Sequence, residues 1–225
     1  VRFKLAMNAE IRITEDGSHT LYVPALDEHY HSHFGALTES KHIFIGTGLA
    51  SLKSNTVSIL EIGFGTGLNA LLTAMYAKDN QLTIHYVTLE KYPVDPSLLF
   101  QLNYPAITGT TGRELFEAIH DSAWEKPVKL TLWFTLEKRL MDLTSMSVDG
   151  LFDLVYFDAF GPGKQPEMWS REVMQKIAAV THPGSVFVTY SAKGELKRTL
   201  RALGFEVAHL PGPPGKRVIT RAVKR

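Results

Sequence analysis

The spacing of apolar residues changes along the chain, and the change divides it. Glu10-Ile-Arg-Ile-Thr14 and Thr20-Leu-Tyr-Val23 alternate or cluster apolar residues on either side of Asp16-Gly17. Asp-Gly supplies the positive φ of a tight turn, so a hairpin is expected. A His-rich stretch follows, then Ile43-Phe-Ile45 and a polar break over 51–56. Beyond it the pattern becomes strand, turn, helix, strand. Strands are expected at 57–62, 83–89, 128–134, 152–157 and 185–190, with a closing pair at 205–209 and 217–222. Helices are expected at 68–77, 113–123, 171–180 and 194–203, the last two ended by Pro183-Gly184 and Gly204. Strands alternating with helices predict an α/β fold with helices on both faces of a mostly parallel, seven-stranded sheet. The expected division is an N-terminal, β-containing extension over 1–55 and a Rossmann-like domain over 56–225.

Composition narrows the class. The 225 residues are 44% hydrophobic and 21% charged, enough to bury a core without staples. With no cysteine, disulfides, zinc fingers, iron–sulfur ligation and thiol nucleophiles are excluded. No apolar run approaches a membrane span, and Val1–Glu10 lacks a signal-peptide core, so a cytoplasmic, non-membrane protein is expected. Net charge is +1 but uneven: 186–225 carries nine basic and two acidic residues, +7, against −6 elsewhere. A basic end on an acidic body fits either a polyanionic partner or a solvated helix face with a charged tail.

Chemistry gathers at strand ends, where open parallel sheets bind ligands. Glu61, Gly63, Gly65 and Gly67 follow the first parallel strand, Glu90 the second and Asp158 the fourth. Glycines let backbone approach a ligand, a helix N-terminus offers free N–H groups, and a carboxylate after the second strand can accept two ribose hydroxyls. A dinucleotide turn would need glycine or alanine at position 68, which is Leu68. The observed E-x-G-x-G-x-G is the usual first motif of Rossmann-like methyltransferases, and Glu61 suits a ligand carrying an ammonium, as S-adenosylmethionine does.

Asp158 opens Asp-Ala-Phe-Gly-Pro-Gly-Lys-Gln-Pro-Glu-Met-Trp169, a loop stiffened by prolines. An amine must be neutral to attack a sulfonium methyl, and Asp158 with nearby carbonyls can orient it and receive its proton. Capping the following helix, or pairing with Lys164, explains the same carboxylate equally well. Trp169 is a stacking candidate, with core packing the ordinary alternative. His29, His31 and His33 would face one way on a strand, but no acidic cluster completes a metal set, so packing, hydrogen bonding or substrate contact is expected and no metal.

At these residues the chain resembles the methyltransferase domain of the bifunctional tRNA wobble-uridine modification enzyme (MnmC-type), in stand-alone form. The specific pieces are Tyr30-His-Ser32, Leu37-Thr-Glu-Ser40, His42-Ile-Phe-Ile45, Phe64-Gly-Thr-Gly-Leu-Asn69, Phe157-Asp-Ala-Phe-Gly-Pro162, Pro166-Glu-Met-Trp169 and Gly215-Lys-Arg217. The resemblance implies methyl transfer from S-adenosylmethionine to the exocyclic amine of 5-aminomethyl-2-thiouridine in tRNA. It implies a cofactor cradle of Glu61, Gly63, Gly65, Gly67 and Asn69, with Glu90 on the ribose, Asp142 on the adenine amino group and Asp158 at the acceptor amine. Tyr30 and Glu39 match family positions near the site. With Lys164, Trp169, Lys216 and Arg217 they complete the candidate substrate or RNA contacts. The family's flavin oxidoreductase domain has no room in 225 residues, so a separate enzyme is expected to supply the amine. Methylation of a small-molecule or protein amine, or a non-catalytic cofactor-binding domain, are the other readings.

Overall fold

The computed structural model describes residues 9–145 and 149–225. All but the last two residues of Val1–Glu10, the stretch lacking a signal-peptide core, lie outside the described residues. Strands β1 (Glu10–Ile13), β2 (His19–Val23) and β3 (Glu28–His29) form a small antiparallel sheet. The β1–β2 turn is the expected Asp-Gly turn. Asp16 accepts from the Ser18 amide at 3.0 Å, and its other oxygen accepts from the Thr38 amide at 2.9 Å. That second bond ties the hairpin to α1 (Ala36–Ser40), which continues as a π-helical stretch, Lys41–Gly48, and a short 3₁₀ turn. The sequence pattern assigned no element here, because Gly46 and Gly48 interrupt a helical signal. Gly48 serves packing instead: a Cβ there would lie 3.1 Å from Val188 and 3.3 Å from Tyr156.

The main sheet follows. Its elements are β4 (Thr56–Ile62), α2 (Leu68–Asn80), β5 (Thr83–Glu90), α3 (Pro96–Leu99), α4 (Tyr104–Ile107), α5 (Gly109–Asp121), β6 (Pro127–Lys129), β7 (Phe134–Leu140), β8 (Phe152–Phe157), α6 (Arg171–Ala179), β9 (Thr181–Thr189), α7 (Gly194–Ala202), β10 (Phe205–Pro211) and β11 (Val218–Lys224). Strand order is β10-β11-β9-β8-β4-β5-β7-β6. The five from β9 to β7 are parallel, while the β10–β11, β11–β9 and β6–β7 pairs are antiparallel. Side chains alternate between faces. Val57, Ile59, Leu154 and Tyr156 join the core under α2 and α5, together with Leu21, Leu37 and Phe44 from the N-terminal segment. Leu60, Ile62, Val155 and Phe157 join the core under α6 and α7. The order in which the chain adds strands switches side between β4 and β8, so the loops after these parallel strands part and open a crevice.

Three expectations are corrected. The sheet has eight strands rather than seven, because Pro127–Lys129 adds a short edge. The third parallel strand is Phe134–Leu140, not 128–134. Its Glu-Lys-Arg centre reads as surface, yet Lys138 is buried, its ammonium donating to the Ile119 carbonyl at 2.7 Å and the His120 carbonyl at 3.0 Å at the end of α5. Glu137 and Arg139 pair with each other on the opposite face at 2.7 Å. The fifth strand begins at Thr181, ahead of Pro183-Gly184, through a register shift against β8. Ser185 secures that irregularity by donating to the Phe152 carbonyl at 2.7 Å.

Candidate active site

A cavity of about 650 Å³ occupies the crevice. The turn after β4 forms one wall. Gly63 has φ +90°, and a Cβ there would meet the Asp158 carbonyl oxygen at 2.8 Å, so the two strand ends close together only over a glycine. The Gly65 amide donates to Glu90 at 3.1 Å, and the Tyr92 amide donates to the other Glu90 oxygen at 2.8 Å. Glu90 is thereby aimed into the cavity with lone pairs to spare. Burial pushes its carboxyl above the usual range, and the amide bonds oppose that shift. Asp142 lies on the same wall. The corrected strand places it two residues beyond the end of β7, where it pairs with Lys91 and accepts from the Thr144 amide at 2.9 Å. Burial would raise its carboxyl, but the bonds from Lys91 and Thr144 outweigh it and hold it below the ordinary value.

Glu61 lies behind the turn, fully buried, with neither carboxylate oxygen in a formed hydrogen bond. Burial, and to a lesser extent Asp158, push its carboxyl up to about 8. The neighbouring Thr88, Asn69 and Tyr86 side chains oppose that shift, and a carboxylate buried this way is further stabilised by an arriving cation or donor. S-adenosyl-L-methionine offers an ammonium and two ribose hydroxyls; Glu90 on the wall fits the hydroxyls, and Glu61, buried behind the glycine turn, supplies negative charge near the wall.

Asp158 stands at the end of β8. Asn69 of α2 donates to its carboxylate at 2.8 Å, so its partner is Asn69 and not Lys164. Burial and then Glu39 push Asp158 up to about 7, opposed by Asn69 and Lys216. The loop carbonyls expected to share its task are engaged elsewhere. Ala159 accepts from the Tyr190 hydroxyl at 2.7 Å and Phe160 from the Trp169 indole at 2.8 Å. Trp169 is thus corrected from a stacking platform to a loop anchor: it is 9% exposed and packs edge-on against Phe157 and Tyr190.

The opposite wall comes from the N-terminal segment and the β10–β11 loop. Tyr30 covers the turn beside Gly65 and meets Phe160 edge-on at 5.0 Å. Glu39 accepts from the Ser32 amide at 2.8 Å and pairs with Lys216 at 2.7 Å. Lys216 therefore faces the cavity and is not a free phosphate contact. Glu61, Gly67, Lys164, Trp169 and Arg217 are not on the wall, and of these Lys164 and Arg217 are exposed. All three histidines border the cavity, each with its own ring neighbour: His29 packs on Tyr22, His31 is buried beside Tyr104, and His33 stacks on Phe34. Among the described residues no three His, Cys, Asp or Glu side chains are grouped to hold a metal, and no helix is long and apolar enough to cross a membrane. Sequence reasoning missed Tyr190, although it directly follows β9 and the strand-end rule points to it. It also missed Ser32 and Phe34, which carry no chemical signal of their own.

The family model described as S-adenosyl-L-methionine-dependent methyltransferase matches residues 114–225. The tRNA 5-methylaminomethyl-2-thiouridine biosynthesis bifunctional protein MnmC of Marinomonas sp. (strain MWYL1) is 33% identical over 214 residues, covering 86% of this chain and 31% of that protein. Its counterpart from Burkholderia multivorans is 31% identical over 226 residues, covering 94% and 34%. The chain thus spans about a third of the length of these relatives. The crystal structure of MNMC2 from Aquifex aeolicus superposes with a TM-score of 0.79 at 26% identity, covering 97% of this chain and 70% of that one. Glycine turn, strand-end carboxylates and these matches agree: the chain is similar to S-adenosyl-L-methionine-dependent methyltransferases, most directly over residues 114–225.

Proposed function

We propose that this chain methylates the exocyclic amine of 5-aminomethyl-2-thiouridine at the tRNA wobble position, giving 5-methylaminomethyl-2-thiouridine. The observation that carries the reading is the Asp158 carboxylate, fixed by Asn69 at 2.8 Å on the wall of the cavity that also holds Glu90. The names of the relatives supply the nucleoside. When bound, S-adenosyl-L-methionine supplies an electrophilic methyl on a sulfonium. In this reading Glu61 attracts its ammonium from behind the turn, the Gly63–Gly65 backbone and Asn69 cradle it with Gly67 shaping the turn, Glu90 takes the ribose and Asp142 the adenine amino group. An alkylamine enters mostly as ammonium and has no lone pair in that form. Asp158, poised near 7, accepts one N–H proton and holds the freed amine by hydrogen bonding. Tyr190 and Trp169 keep the Ala159–Phe160 backbone from competing for that proton. Exposed Lys164 and Arg217 contact tRNA phosphates, and the amine is made at another active site. A tRNA substrate places the protein in the cytoplasm.

The test is incubation with methyl-labelled S-adenosyl-L-methionine and tRNA containing 5-aminomethyl-2-thiouridine, with nucleosides read by mass spectrometry. Label in the methylaminomethyl nucleoside is the expected result. Cofactor binding without label in that nucleoside rejects the substrate and moves the search to other amines.

A further inference from the structure

The cavity holds an ion pair that the methyl-transfer chemistry does not by itself require. The loop between β10 and β11 is closed by two backbone bonds, Gly212 to Arg217 at 3.3 Å and Lys216 to Pro213 at 2.9 Å. It is pinned to the N-terminal segment at two places. Pro211 presents its carbonyl to His42 Nε2 at 2.8 Å. Gly215 has φ +81° and lies so close to Phe34 that a Cβ would stand 1.9 Å from the ring. This clamp delivers Lys216 into the cavity, with its ammonium 2.7 Å from Glu39 and 5.1 Å from the centre of the Tyr190 ring. Glu39 is itself fixed by the Ser32 amide. The titratable groups facing Asp158 are Glu61 on β4, Tyr86 on β5, Glu39 on α1, Tyr190 after β9 and Lys216. Of these only Lys216 is cationic.

We propose that the Glu39–Lys216 pair is a positioning device for Asp158: Lys216 neutralises the second carboxylate of the acceptor half, so that Asp158 carries the charge that receives the amine's proton. The inference rests on the acceptor role given to Asp158 above. Two carboxylates sharing one cavity resist ionising together, and a cation paired with one of them relieves the conflict. Lys216 touches neither donor nor acceptor in this account; it acts through Glu39 and Asp158.

The test compares kcat/KM against pH for wild type, Lys216→Met, Lys216→Arg, Glu39→Gln and the Glu39→Gln/Lys216→Met double variant. Asp158 is also titrated by carboxyl-carbon NMR in the ligand-free protein. Lys216→Met is expected to move the acid limb and the NMR midpoint up by about one pH unit, with the activity loss fading above it. Glu39→Gln moves both down, the double variant returns them toward wild type, and Lys216→Arg keeps them. Loss at every pH with midpoints within about 0.2 units of wild type overturns the proposal. If Lys216→Met does not fold, an unchanged midpoint in Glu39→Gln overturns it. Asp158→Asn separates the two claims. Wild-type turnover in that variant removes the acceptor role itself, whereas a dead Asp158→Asn beside an unmoved Lys216→Met removes only the pair's role.

Discussion

Asn69 donates to Asp158 across 2.8 Å, joining the helix that leaves the glycine turn to the loop that leaves β8. The two residues lie 89 apart in sequence and belong to different halves of the crevice. One carries a neutral donor with no titration of its own; the other is a buried carboxyl pushed up to about 7. Asp158→Asn should retain S-adenosyl-L-homocysteine affinity within about threefold while kcat falls by about a hundredfold or more, the range of a lost proton acceptor. Calorimetry and single-turnover labelling read the two quantities separately.

The pH profile follows from the same carboxyl. With Asp158 pushed up to about 7, kcat/KM should rise through that pH as the group ionises and then level. Asn69→Leu removes the hydrogen bond that favours the ionised form, so the rising limb should move to higher pH. A limb unmoved in Asn69→Leu would show that the bond only places the side chain.

Glu61 carries the opposite burden, on stability. Its carboxyl is raised in the fold to about 8, so the folded state holds a proton that the unfolded chain releases near the ordinary value. Stability from this group is present at low pH and is lost as pH rises through about 8. Glu61→Gln imitates the protonated form. It should therefore raise Tm by about 3 °C or more at pH 8.5, change it little at pH 5, and weaken cofactor binding. Thermal melts at the two pH values decide it.

Trp169→Phe keeps an aromatic ring, smaller than the indole, and removes the donor to the Phe160 carbonyl. A lost neutral hydrogen bond costs about 1 kcal/mol, so kcat should fall by up to about tenfold while KM for tRNA stays unchanged. A selective rise in KM would restore Trp169 as an RNA contact.

Charge reversal at Lys164 and Arg217 tests the outer surface. Both side chains are exposed and off the cavity wall. The double variant should weaken tRNA binding and lower the salt slope by about two, with cofactor affinity unchanged. Filter binding across a salt series measures both.

The sequence alone determined the parts whose signal is local. The Asp16-Gly17 turn, the strand over 57–62, the glycine run and the carboxylates at strand ends all declare themselves within a few residues, because turn chemistry and alternation act over that range. Tertiary structure decided the rest. The strand expected at 128–134 lies at 134–140, where Lys138 is buried against the end of α5. The segment 41–48 carries no element in the sequence pattern, and its helical form is set by packing of Gly48 on Val188 and Tyr156. Trp169 and Lys216 carry side chains suited to several tasks, and only the groups opposite them choose: a carbonyl for Trp169, a carboxylate for Lys216. Their partners are distant in sequence, so no window of residues could contain both sides of the contact. Pattern fixes where an element lies; the polar group that faces a side chain across the fold fixes what that side chain does.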